Sequence, residues 1–207
     1  MARSRSMKRE ADGAGGALTA EQGLTLCRYV RQRIHAQLGG PPAHAPDAPA
    51  FRAPAATFVT LRWPTGELQG CIGSLEAFLP LREDVEKNGL SAAFRDPRGV
   101  RLLPAQVDLL QVELSVLSPL SPIPFTDERS ALAQLEPGVD GVVFQSGGRR
   151  ATFLPQVWEN MSTREEFLGE LKQKAGFPAD YWAPDVELFR YHVQKFKDAP
   201  TASGDAP

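Results

Sequence analysis

From Leu110 to Val116 the apolar and polar residues alternate without a break. Leu110, Val112, Leu114 and Val116 fall on one side, and Gln111, Glu113 and Ser115 on the other. That two-residue period predicts a long strand with one buried face. Thr57 to Trp63 also alternates and is rich in β-branched and aromatic residues, so it reads as a second strand. Pro64-Thr65-Gly66 turns the chain, and a return strand runs from Glu67 to Cys71-Ile72-Gly73. Further on, Gly141 to Gln145 and Arg150 to Leu154 flank Ser146-Gly147-Gly148-Arg149, a hairpin signal. Val186 to Phe196 reads as one last strand of mixed pattern.

Between these stretches the period changes to that of a helix. Thr19 and Gln22 form a capping box, and Cys27, Val30, Ile34 and Leu38 follow as one stripe that Gly39-Gly40 ends. Leu81, Val85 and Ala92 share a face of a second helix, predicted from Leu81 to Phe94. Arg95-Asp96-Pro97-Arg98 stops it, because proline disfavours helix in the residue before it. Glu128 to Leu135 reads as a short helix. Ser162 and Glu165 suggest another capping box, ahead of a stripe of Phe167, Leu168, Leu171 and Ala175. Strands arriving as hairpins and helices arriving singly predict an α+β fold, with an antiparallel sheet flanked by helices. No internal repeat is present. The expected organisation is a single domain over 18–198, with a Pro/Ala-rich linker at 41–54 inside it. A disordered leader (1–17) and tail (199–207) flank that domain.

Composition narrows the function classes. The net charge of −2 and the pI of about 6.0 provide no general field for nucleic acid or an anionic membrane. No apolar run approaches the roughly 20 residues that span a bilayer, and no membrane association is expected. Two cysteines cannot form a disulfide framework, so a reducing, cytoplasmic setting is the expectation. The three histidines, His35, His44 and His192, are scattered and show no metal-ligand spacing. No metal site and no cofactor are expected.

One stretch combines a potential nucleophile with backbone permissiveness: Leu68-Gln69-Gly70-Cys71-Ile72-Gly73. Glycines beside Cys71 allow another backbone or a ligand to come close, and they also fit a bulged strand end with Cys71 packed as a small hydrophobe. A cysteine nucleophile needs a base or a nearby cation, and local sequence names none. Two basic stretches can supply charge. Arg95, Asp96 and Arg98 read either as the wall of a ligand site or as a dipole-favourable helix end. Arg149 and Arg150 beside Gly147-Gly148 read either as an anion site or as a solvated hairpin tip.

Taken together, several stretches resemble one family. Leu68 to Gly73 looks like a Leu-Arg-Gly-Cys-Ile-Gly signature, and Ala92-Ala93-Phe94-Arg95-Asp96-Pro97-Arg98 looks like its second motif. Val112 to Pro119, Gly138 to Val143, Gly148 to Trp158 and Lys174 to Pro178 follow in the family's order. This is the AMMECR-type domain family, known in bacteria and archaea as AmmeMemoRadiSam system protein A. The likeness runs from about Leu18 to Phe196. It implies a larger and a smaller lobe with a cleft between them, and the cysteine motif at that cleft. The resemblance also implies partners: prokaryotic genes of this type often accompany a Memo-like protein and a radical S-adenosylmethionine protein, which suggests a shared pathway acting on an unknown small-molecule or macromolecular substrate. The family carries no settled activity, and two readings stand. One is a cysteine-dependent modification enzyme with Cys71 as nucleophile. The other is a non-catalytic ligand-binding or adaptor subunit using the same cleft. The ligand-binding set is then Gln69, Gly70, Gly73, Arg95, Asp96, Arg98, Arg149 and Arg150. The chain departs from the pattern at Gln69, where arginine is usual, and at Gly99, where an aromatic is usual.

Overall fold

The computed structural model describes residues 17–200. The expectations for the leader and tail therefore lie, at 1–16 and 201–207, outside the described residues. The fold is α+β, and it is built on two antiparallel sheets rather than one.

The first sheet has the order β2-β1-β3-β8, from strands β1 (Ala56–Arg62), β2 (Leu68–Gly73), β3 (Gln111–Leu117) and β8 (Val193–Asp198). The alternation in β3 does what its period requires: Val112, Leu114 and Val116 are buried with Val59 and Leu61 of β1. Helices α1 (Ala20–Gln37) and α3 (Leu81–Phe94) cover that face. The Thr19 hydroxyl and the Gln22 side chain close the capping box at the start of α1. Cys27, Val30 and Ile34 of the predicted stripe are in the core, with Leu38 half-buried against it. The 41–54 stretch is not wholly extended. Pro49–Arg52 forms one helical turn, α2, and buries Phe51 in the first core.

After β3 the chain leaves this lobe and builds a smaller one. Its sheet has the order β4-β7-β5-β6, from β4 (Ser121–Pro122), β5 (Gly141–Ser146), β6 (Arg149–Phe153) and β7 (Glu187–Tyr191). β5 and β6 are joined by Gly147-Gly148, with φ of 53° and 73°. Positive φ at both turn residues is what a two-residue hairpin of matching twist needs, and glycine supplies it. Helices α4 (Glu128–Leu132) and α5 (Arg164–Lys174) cover this sheet with Trp158, which stacks on Phe167 at 3.6 Å between centroids.

Two expectations change. The N-cap of α5 is Thr163, one residue later than the Ser162 of the expected capping box, and the box itself is not closed on the cap residue. The Thr163 hydroxyl accepts from the Glu166 amide, and the Glu166 carboxylate accepts from the Ser162 amide. Ser-x-x-Glu and Thr-x-x-Glu overlap here, and burial of Phe167, Leu168 and Leu171 sets the helix phase. The last strand is two strands. β7 belongs to the second sheet and β8 to the first, with His192 between them. A third apolar cluster, Ala56 and Leu117 with Val143 and Tyr191, joins the sheets at this crossing.

Candidate functional site

The cysteine motif lies on β2, the edge strand of the first sheet. The β1–β2 register shifts between Leu61, opposite Gly70, and Arg62, opposite Leu68, which leaves Gln69 as a bulged residue. Bulges re-aim side chains. Here the Gln69 carboxamide, 1% exposed, donates to the Val100 carbonyl at 2.7 Å and accepts from its amide.

The loop after α3 is thereby tied to β2, and Asp96 completes the tie. Its carboxylate accepts from the Cys71 amide at 2.8 Å, the Arg98 amide at 3.0 Å, Arg98 Nε at 3.0 Å and Arg98 Nη2 at 2.7 Å. The Arg98 guanidinium, and then the Cys71 amide, hold the Asp96 carboxyl well below the usual carboxylate range. Arg98 also reaches the Cys71 carbonyl at 3.3 Å. Asp96 is thus an acceptor committed to the backbone of the motif and to Arg98.

The glycines of the motif are filled by protein. A Cβ on Gly70 would lie 2.0 Å from the Ala92 carbonyl oxygen, and one on Gly73 would meet the Phe58 ring. The close approach they permit is that of α3 and of β1. Gly99 packs on Gln69 in the same way, with a Cβ 2.1 Å from the Gln69 carbonyl oxygen. The two departures from the family pattern are therefore in contact, and a larger residue at 99 would displace the backbone beside Gln69.

Cys71 is half-buried, whereas Cys27 is fully buried with its thiol pushed up to about 12, first by burial and then by Asp198. Cys71 pairs across the sheet with Thr60, Thr60 with Glu113, and Glu113 with Lys197. These four form a row on the face opposite the core. The Thr60 hydroxyl donates to Cys71 Sγ at 3.1 Å. Glu113 is shared by Lys197 at 2.9 Å and Arg62 at 3.8 Å. Sequence reading places Glu113 on a polar strand face, but only the register of four strands brings it into line with Cys71. Thr60, Arg62 and Lys197 carry no sequence signal of their own.

The proposed basic set divides. Asp96 and Arg98 adjoin Cys71. Arg95 caps α3 and lines a separate groove with Leu38, Leu90 and Phe94. Arg149 lies 3.4 Å over the Phe177 ring and donates to the Gly176 carbonyl. Arg150, on the opposite face of β6, pairs with Glu76 of the first lobe beside a cavity of about 120 Å³ lined also by Leu75, Val143 and Tyr191. Adjacent strand residues face opposite ways, so Arg149 and Arg150 lie on different faces of β6 with different partners. No histidine adjoins the thiol: His35 pairs with Asp108, His192 with buried Asp140, and His44 is in the exposed part of 41–48.

A second polar group supports the motif. Buried Asp84 accepts from the Thr57 amide and hydroxyl, from Asn88, and from Ser74 at 2.6 Å. It fixes the chain as it leaves Gly73. Among the described residues, no group of three or more His, Cys, Asp or Glu side chains is arranged to hold a metal ion. None of the described helices is long and apolar enough to cross a membrane.

A family model described as AMMECR1 matches residues 27–196. Protein MJ0810 of Methanocaldococcus jannaschii is 35% identical over 189 residues, covering 87% of this chain and 92% of its own. A protein of Thermotoga maritima is 37% identical over 148 residues, 71% of this chain and 80% of its own. The crystal structure of the uncharacterized protein PH0010 from Pyrococcus horikoshii superposes with a TM-score of 0.74 at 30% identity, covering 90% of this chain and 96% of that one.

Proposed function

The chain belongs to the AMMECR1 family, and we propose that it acts as a ligand-binding subunit whose site is the sheet face around Cys71, Thr60 and Glu113. The observation that carries this reading is the cross-strand row itself. A cysteine, a hydroxyl, a carboxylate and two cations stand partly exposed on one sheet face. Ion pairs as exposed as these contribute little to stability, about 0–1 kcal/mol. Their arrangement suits recognition of a small polar molecule carrying both donor and acceptor groups. The subunit would serve a pathway shared with a Memo-like protein and a radical S-adenosylmethionine protein, and the cleft between the lobes would shelter the ligand.

Covalent catalysis by Cys71 is the second reading, favoured by the half-buried position of Cys71. Against it, the polar partner of Sγ is a threonine hydroxyl, and no imidazole is beside it to take a proton. Complementation of a deletion strain decides between the two. Recognition predicts that Cys71→Ala restores function while Glu113→Ala, equally well folded, does not. A folded Cys71→Ala protein that fails to complement, beside a Glu113→Ala protein that does, would overturn it in favour of the enzyme.

A further inference from the structure

Seven large apolar side chains are exposed among the described residues, and three of them, Phe94, Val100 and Leu103, fall within ten residues. Single exposed hydrophobics are ordinary, whereas a local concentration marks an interaction surface. The same ten residues carry Arg95, Arg98 and Arg101, all exposed, in a chain whose net charge is −2. Their one acid, Asp96, is buried and already committed to Arg98 and the Cys71 amide. The α3 dipole accounts for Arg95 at the helix end, but Arg98 and Arg101 lie beyond the last turn.

This loop is also held in one shape. Asp96 ties it at one end, the Gln69 carboxamide holds Val100, and Gly99 packs on the Gln69 backbone. A loop presenting 61%-exposed Val100 from so fixed a backbone has already met the ordering cost that weakens most flexible surfaces. Beside it, a groove of about 320 Å³ lined by Leu38, Leu90, Phe94 and Arg95 can accept an apolar side chain. Aromatic and arginine anchors in combination are typical of strong interface positions.

We propose that the 94–103 loop and the adjoining groove dock a partner protein through an acidic segment bearing apolar side chains. Apolar residues enter the groove against Phe94, and carboxylates meet Arg95 and Arg101, while Arg98 is paired with Asp96. The docking goes beyond ligand recognition at Cys71 and does not depend on it.

The test is selection from a phage-displayed library of random peptides against the full chain, followed by affinity measurement with the synthetic peptides obtained. Enriched peptides should pair Asp or Glu with Leu, Phe or Ile, and their binding should weaken as salt rises. Arg101→Glu and Val100→Ser, each checked for an unchanged melting temperature, should weaken binding at least tenfold and several-fold. Arg129→Glu, an exposed position on α4, should leave it unchanged. Enriched peptides without acidic residues, or equal affinity for Arg101→Glu, would overturn the proposal. So would oligothymidine binding that depends on Arg101 while acidic peptides fail to bind, which would assign the surface to single-stranded nucleic acid.

Discussion

Replacing Asp96 by asparagine isolates what ties the cysteine motif to the loop. The substitution keeps shape and removes charge. Oδ1 accepts from the amide and Nε of Arg98, and Oδ2 from the Cys71 amide and Arg98 Nη2. Asparagine has one acceptor oxygen and one amino group, so either orientation sets the amino group against two donors. Hydrogen bonds to a charged group are worth about 1.5–3 kcal/mol each when buried. The Arg98 side chain is 59% exposed, so its share is discounted for solvent. The remaining loss is centred on the Cys71 amide, and the expected destabilisation is about 2–3 kcal/mol. For a chain of this size that lowers the melting temperature by about 5–10 °C. The sign of the pH dependence follows from the depressed carboxyl. Its stabilisation is complete above the unfolded value near 3.9 and is lost as pH falls through the lower folded value. Thermal unfolding of both proteins by circular dichroism from about pH 7 to pH 3 should show a full gap down to about pH 5 and a narrowing gap below about pH 4. A gap under about 0.5 kcal/mol at neutral pH, within the range of ordinary surface substitutions, would refute the reasoning. A gap that persists unchanged in acid would refute it too.

Iodoacetamide at mildly alkaline pH should modify Cys71 well before Cys27, because burial removes both access and thiolate from Cys27; peptide mass spectrometry that found Cys27 first would contradict the assigned burial. Gly70→Ala should cost about 3 kcal/mol, the upper range for overpacking, because the new methyl meets the backbone oxygen of Ala92 rather than a movable side chain; an unchanged denaturation midpoint would show that α3 can retreat without strain. Arg149→Ala should lower stability by only about 0.5–1 kcal/mol, through loss of the Phe177 contact. It should leave any ligand bound at the Cys71 face unaffected, unlike Thr60→Val; calorimetry with a ligand identified by metabolite screening separates them.

Much of the fold follows from local pattern. The period in β3, the stripe and capping box of α1 and the Gly147-Gly148 turn are short-range properties, and each appears in the structure where its residues predict it; the cap of α5 falls one residue later than expected. The α+β class follows from how those elements alternate along the chain, and the motif around Cys71 falls on a strand as its pattern predicts. Local pattern did not reveal that Val186 to Phe196 divides between two sheets, because a strand's own sequence does not say which neighbour it pairs with. It also could not show that Arg149 is held at Phe177 and Arg95 at a separate groove, or that Glu113 and Lys197 stand in the row of Cys71. Those are consequences of register, and register depends on pairings between residues far apart in the chain. The glycines show the difference most directly. From sequence, Gly70 and Gly99 are places where something can come close. Only tertiary packing decides that Ala92 and Gln69 occupy that space, because the position of α3 on β2 is set by the shared core beneath them.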